Sequence, residues 1–292
     1  MQTKNKATIL SIPLKPGSFD EILAILEENA TKECDLILLP EFCIGSEPIL
    51  SMDGEEKQKI SKVAKKHKKY IVFPVYRKTI QAERVNSAIL FDRNGDIAGT
   101  YDKVYPYWEE FDLSPPVTPG SDIPVFETDF GTIGIAICFD ANFPELWKTF
   151  RQKGARLILW SSAYSGGRSL QAHAINYNYY IMTSTHYPDC HVFDITGQEL
   201  FYGKSEDSDV FTYEFDLDRC IFHQDFHIPD KLNKILKEQE GKIEKDSWHD
   251  KEGWFTLHAI KDDVSARALA QEYGMEELPQ YKIRSEAVRE HH

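Results

Sequence analysis

The stretch "CDLILLPEF", residues 34 to 42, sets four consecutive aliphatic residues between Asp35 and Pro40. The run is too short for a helix. Its residues are apolar on both alternations, so as a strand it must be covered on both faces. "ATILSIPL", "YIVFPVY", "VNSAILFD", "GIAIC" and "RLILWSS" read as further strands. Between them, "FDEILAILEENATKE" has helical spacing, with Ile22, Leu23, Ile25 and Leu26 on or near one face. "GEEKQKISKVAKKHKK" is helical with a solvated, charged face. Strands and helices that alternate in this way predict a layered α/β domain.

Three hairpins punctuate the pattern. "FDRNGDIAGTY" turns at Asn94–Gly95, where positive φ is required. "FDITGQELFYG" repeats the arrangement from Phe193, and "FETDFGTIGIAIC" turns around Asp129 to Gly131. Strand, helix and hairpin units in each half predict internal pseudo-symmetry within residues 1–217. No linker interrupts that stretch. Residues 218–292 differ: "IPDKLNKILKEQEGKIEKDSWHDKEGWF" and "DDVSARALAQEYGMEELPQ" read as mostly helical and polar. Trp248, Trp254, Phe255, Leu257 and Tyr273 are too few large apolar groups for a separate core. This segment is expected to be an extension that packs on the core or on a dimer partner.

The chain of 292 residues is 41% hydrophobic, enough for a sizeable core. Its net charge of -13 opposes nonspecific nucleic-acid binding. No apolar stretch approaches the roughly 20 residues of a membrane span, and the N-terminal "MQTKNKATILSIPLKPG" lacks a signal peptide's apolar run of about 7–15. A cytoplasmic protein with no membrane partner is expected. Five widely spaced cysteines without a CxxC pair suggest neither a disulfide framework nor a zinc knuckle.

Three apolar runs end beside a reactive side chain: "LILLPEF" at Glu41, "GTYDKVY" at Lys103 and "GIAICFD" at Cys138. Groups at one end of a layered sheet converge though distant in sequence. A metal reading competes, because "FHQDFHIPD" places His223, Asp225 and His227 at alternating positions that one strand face could present. Cys43, two residues after Glu41, is another thiol that could approach the site.

"DLILLPEF", "GTYDKVYP" and "TPGSDIPVFETDFGTIGIAICFDANFPEL", followed by "KGARLILWSSA", resemble the ordered motifs of the nitrilase superfamily of carbon–nitrogen hydrolases. The resemblance spans about residues 5 to 217. It implies a four-layer αββα sandwich, usually dimeric, with Glu41, Lys103 and Cys138 as a catalytic triad that needs no metal or cofactor. Lys103 is then the cation that favours the thiolate, and Glu41 the base. The resemblance also implies a second glutamate, Glu109 or Glu110, of which Glu110 is favoured because it lies nearer the "TPG" landmark. Glu109, Tyr107, Phe139, Asp140 and Asn142 are expected to contact substrate. Tyr105, Trp108 and Trp160 are further candidates for an aromatic pocket, with core packing the competing role of Trp160.

Three positions depart from the family pattern. Phe139 stands where nitrile-hydrolysing members usually have Trp. Asn142 stands where many amidase-like members have Arg, and Asn176, in "LQAHAINYNYYIMTSTH", where Glu is common. The implied activity is hydrolysis of an amide or N-carbamoyl C–N bond of a small molecule. Nitrile hydrolysis, or a non-catalytic binding protein of the same fold, are the alternatives.

Overall fold

The computed structural model of the protein describes residues 6–46, 49–187, 189–204, 210–249 and 251–290, the side chains of 246–249 excepted. The first half runs β1 (Lys6–Ser11), α1 (Phe19–Ala30), β2 (Leu36–Leu38), β3 (Ile49–Leu50), α2 (Glu55–His67), β4 (Tyr70–Lys78), β5 (Arg84–Phe91) and β6 (Ile97–Asp102). The second half runs β7 (Val125–Thr128), β8 (Gly131–Ile137), α3 (Pro144–Gln152), β9 (Leu157–Ser161), α4 (Arg168–Tyr177), β10 (Tyr180–Ser184), β11 (Asp189–Phe193) and β12 (Glu199–Lys204). After β13 (Phe211–Asp216) come β14 (Cys220–His223), α5 (Ile228–Glu238), β15 (Ile243–His249), β16 (Trp254–Ala259), α6 (Ala266–Glu272) and α7 (Leu278–Glu290).

Two sheets share one plan. The first has the order β13-β1-β2-β4-β5-β6, with β3 beside β4, and the second the order β7-β8-β9-β10-β11-β12 read in reverse. In the first, β1, β2 and β4 are parallel, and β5 and β6 return antiparallel. In the second, β8, β9 and β10 are parallel, and β11 and β12 return antiparallel. An antiparallel strand closes the same flank of each, β13 on β1 and β7 on β8. The hairpins expected from sequence are present, with φ of 82° at Gly95 and 81° at Gly197.

Alternation within each strand builds the layers. Leu36 and Leu38 join Ile133, Ile135 and Ile137 in the core that holds both sheets, whereas Ile37 and Leu39 pack with Ile22, Leu26, Ile60 and Val63 of α1 and α2. Burial on both faces explains why "LILL" has no polar position. On the far side, Trp147, Phe150, Leu170 and Ala174 of α3 and α4 cover the second sheet. The result is a four-layer αββα sandwich. Hydrogen bonds cross directly between the sheets at one end: Ser11 Oγ to Thr183 O at 2.9 Å, Ser161 Oγ to Leu39 O at 2.8 Å and Ser184 Oγ to Ile12 O at 3.3 Å.

The C-terminal segment corrects two expectations. It is not mostly helical, since β14, β16 and β15 form a three-stranded antiparallel sheet. β15 carries Glu244, Lys245 and Asp246 at a sheet edge, and these residues have low strand propensity, so pairing with β16 overrides local preference. Nor does it lack an apolar cluster: Phe222, Ile228, Ile235, Ile243, Phe255, Leu257 and Met275 pack together. The Trp248 side chain lies outside the described residues. "LQAHAINYNYYIMTSTH" likewise is helical only to Tyr177, and then becomes β10.

The segment is fastened to its own chain. Ile221, Trp254 and Leu278 belong to the main core, and Lys282 Nζ donates to Asn178 Oδ1 at 3.0 Å. Truncation after Asp218 is therefore expected to lower the melting midpoint by more than about 5 °C. Thermal unfolding checks this; an unchanged midpoint would show that the segment does not support the sandwich.

Candidate active site

Glu41, Lys103 and Cys138 meet where the two sheets are bridged. Glu41 follows β2 after Leu39, whose carbonyl is held by Ser161; Lys103 directly follows β6; Cys138 directly follows β8. Glu41 and Lys103 are almost wholly buried, and Cys138 is partly exposed. Glu110 enters from a 3-10 turn, Trp108–Phe111, and is also buried.

Lys103 Nζ sits 2.8 Å from Glu41 Oε1 and 2.6 Å from Glu110 Oε2. Asn86, on β5, donates its amide to Glu41 Oε1 at 2.9 Å and Glu110 Oε1 at 2.8 Å. Tyr76 OH donates to Glu110 Oε1 at 3.1 Å, and the Tyr107 N–H to Glu110 Oε2 at 2.8 Å. The Ala163 N–H donates to Glu41 Oε2 at 3.2 Å. Burial works against the charged form of Lys103, but Glu41 foremost, then Cys138 and Glu110, outweigh it and raise its pKa. Glu109 points elsewhere: it is exposed on the rim of the cavity.

Opposed influences act on Cys138. Burial raises the pKa of its thiol well above the ordinary value, and Glu41 raises it further; Lys103 only partly opposes them. Lys103 acts in the direction that favours the thiolate, and is itself paired with two carboxylates. Glu41 lines the same cavity as the thiol and is the carboxylate that acts on it. Cys43 is fully buried with its thiol pushed up to about 12 by burial, and it does not line the cavity.

The turn that carries Cys138 is strained and tightly held. Cys138 has φ of 48°, a conformation that costs on the order of 1–3 kcal/mol for a residue with a Cβ. Its successors form a 3-10 turn over Cys138–Asn142. Four consecutive carbonyls accept from side chains: Cys138 O from Trp160 Nε1 at 3.1 Å, Phe139 O from Asn142 Nδ2 at 3.1 Å, Asp140 O from Trp147 Nε1 at 2.9 Å, and Ala141 O pairs with His173 Nε2 at 2.8 Å.

Asp140 is not a substrate contact. It is fully buried and folds back under the turn, where it accepts from Ile137 N–H at 2.8 Å, Tyr101 OH at 2.7 Å and Tyr105 N–H at 3.0 Å.

A cavity of about 540 Å³ opens over these groups. Glu41, Lys103, Glu110 and Cys138 reach it, and Phe42, Tyr76, Tyr107, Leu113, Phe139 and Tyr164 form apolar walls. Glu109, Asn142, Ser46 and Ala163 complete the lining. Of the residues expected to contact substrate, Tyr107, Phe139, Glu109 and Asn142 line the cavity. Tyr105 instead stacks on Phe143 with centroids 3.8 Å apart, Trp160 is core, and Trp108 lies outside the lining. Asn176 is exposed on α4, so it takes no part in supporting the site; His173, on the buried side of the same helix, does. Asn86, Tyr76 and Tyr164 were missed. A polar Asn inside the fully buried β5 was the available signal for Asn86.

The metal reading fails on geometry. β14 ends at His223, Asp225 and His227 lie beyond the strand, and the Asp225 N–H turns back onto His223 Nδ1 at 3.1 Å. Among the described residues no group of three His, Cys, Asp or Glu side chains is placed to hold a metal.

A strained thiol between two sheets, beside a lysine clamped by two carboxylates, marks a thiol-centred site at the junction of an αββα sandwich. The carbon–nitrogen hydrolase family model matches residues 11–220, and the chain belongs to that family. It is 25% identical over 167 residues to the omega-amidase NIT2 of Xenopus tropicalis, covering 52% of this chain and 60% of that one. It is 29% identical over 168 residues to the beta-ureidopropionase of Arabidopsis thaliana, covering 51% of this chain and 40% of that one. The match therefore spans less than two thirds of the length of these curated relatives. The crystal structure of Saccharomyces cerevisiae Nit3, of the nitrilase superfamily, shares the fold with a TM-score of 0.63 at 19% identity, over 80% of this chain and 94% of that one.

Asp140 supplies a test of how the turn is held. Burial lifts its carboxyl to about 7, against hydrogen bonds that favour the charged form. A folded-state pKa above the ordinary value of 3.8 means that the folded chain holds the proton more tightly. The contribution of that proton to stability is complete below about pH 4 and is lost as pH rises through about 7. Asp140→Asn cannot accept from all three donors and is expected to lose about 1–3 kcal/mol. Its urea-unfolding stability should also lack the wild type's decline between those pH values. Identical pH profiles for both proteins would contradict this account.

Proposed function

We propose that the chain hydrolyses a non-peptide C–N bond of a small amide or N-carbamoyl compound through a thioester on Cys138. The observation that carries this reading is the convergence of Cys138, Glu41 and the buried Lys103 on one cavity, with Lys103 paired to Glu41 at 2.8 Å. Glu41 takes the thiol proton as sulfur attacks the carbonyl carbon. Lys103 and the N–H of Phe139, at the start of the turn where no intrahelical partner exists, stabilise the oxyanion. Collapse breaks the C–N bond, and the departing nitrogen takes the proton from Glu41. Water, deprotonated by Glu41, then attacks the thioester. The acid leaves, the thiolate recovers the proton, and the cycle closes. Glu110, with Tyr76 and Asn86, positions Lys103.

The cavity constrains the acyl part. Among the described lining residues Lys103 is the only cation, and both its carboxylate partners lie within 2.8 Å. Glu109 adds a negative charge at the rim. An anionic acyl tail meets acids and apolar rings there, whereas a neutral tail meets favourable walls. Five cysteines without a disulfide suit a reducing, cytoplasmic setting. A homodimer or larger homo-oligomer accords with the family resemblance.

A panel of amides, N-carbamoyl amines and nitriles, each with neutral and carboxylate-terminated chains, tests the reading. Neutral amides or carbamoyl compounds should exceed their carboxylate analogues in kcat/KM by at least about tenfold, which corresponds to about 1.4 kcal/mol. Cys138→Ala, with an unchanged melting profile, should turn over none of them. Hydrolysis by the Ala variant would remove Cys138 from the mechanism, and a preference for carboxylate tails would overturn the account of the cavity.

A further inference from the structure

Away from the Cys138 cavity, a second depression of about 360 Å³ lies at the seam between the sandwich and the C-terminal segment. Three guanidinium groups reach it: Arg151 at the last turn of α3, Arg156 just before β9, and Arg267 on α6. Two acids also line it, and both are engaged. Glu277 pairs with Arg267, and Glu276 with Arg284 at 2.8 Å. Arg151 and Arg156 have no carboxylate partner among the described residues. Arg151 donates to Ala155 O at 3.4 Å, and Arg156 to Leu217 O at 3.2 Å.

The Nε atoms of Arg151 and Arg267 are buried without a hydrogen-bond partner among the described residues. Leaving such donors unmet is unfavourable, more so for a charged group. Burial pushes Arg151 down to about 10, and repulsion from Arg267 and Arg156 acts in the same direction, opposed by Glu277. Like charges are thus gathered in a recess of a chain whose net charge is -13. A guanidinium presents paired N–H donors that match an oxyanion edge to edge. The side chains of Gln271 and Gln280 line the same recess and can add neutral donors.

We propose that this seam binds the oxyanion group of a small molecule, a phosphate or a carboxylate, through Arg151 and Arg156, with Arg267 held against it by Glu277. The site joins α3 to α6 and is independent of the reading of the Cys138 cavity. Its occupant stabilises the attachment of the C-terminal segment, because it binds residues from both sides of the seam.

The test uses the full chain and two probes, inorganic phosphate and acetate, at ionic strength held constant with sodium chloride. At least one should raise the melting midpoint saturably and give a dissociation constant by calorimetry, and the more effective ion identifies the class of oxyanion. Arg156→Gln and Arg151→Gln should each weaken that constant at least tenfold. Arg289→Gln, an exposed position on α7, should leave it unchanged. Binding is compared within each variant, so a change in a variant's own stability does not obscure the result. Absence of saturable binding for both ions, or undiminished binding in both recess variants, would overturn the proposal.

Discussion

The site depends on one buried ammonium shared by two carboxylates. Lys103 would be costly in this interior by itself, as would Glu41 or Glu110. Together they leave few unmet groups: Glu41 accepts from Lys103, Asn86 and the Ala163 N–H, and Glu110 from Lys103, Asn86, Tyr76 and the Tyr107 N–H. Loss of one partner strands the others, typically at about 3–5 kcal/mol. The charge of Lys103 is balanced within the site.

The sandwich brings these groups together by repeating one unit. β1, β2 and β4 with their helices match β8, β9 and β10, and the two sheets are joined by hydroxyl-to-carbonyl bonds at the strand ends. Ser161 holds Leu39 two residues before Glu41, and the Ala163 N–H reaches the carboxylate itself. Strand geometry therefore fixes Glu41 relative to the second sheet. Cys138 is fixed independently, through a strained φ whose four following carbonyls are each gripped by a side chain from the turn itself, from α3, from β9 or from α4. Conformational strain persists where the surroundings over-determine it.

Much of this was legible in sequence where local pattern and packing agree. The four aliphatics at Leu36 to Leu39 demanded a strand covered on both faces, and Gly95 and Gly197 marked real hairpins. The C-terminal sheet was not legible, because β15 is built from charged residues whose strand form depends on pairing with β16. Asp140 was misplaced for a related reason: its neighbourhood beside Cys138 suggests the pocket, but the 3-10 turn directs its carboxylate back to the Ile137 N–H. Along α4, helix phase turns His173 inward and leaves Asn176 exposed. Asn86 and Tyr76 reach Glu110 across 24 and 34 residues, a relation that only the assembled sheet reveals.

The proposed acyl transfer passes through a covalent intermediate on Cys138. Partition to a competing nucleophile tests it without requiring the intermediate to accumulate. A series of amides that share one acyl group but differ in the departing amine would be hydrolysed at a fixed hydroxylamine concentration. The ratio of hydroxamate to free acid should be the same for every member, because all pass through one thioester. A ratio that varies with the departing amine would contradict the account and point to direct attack by water.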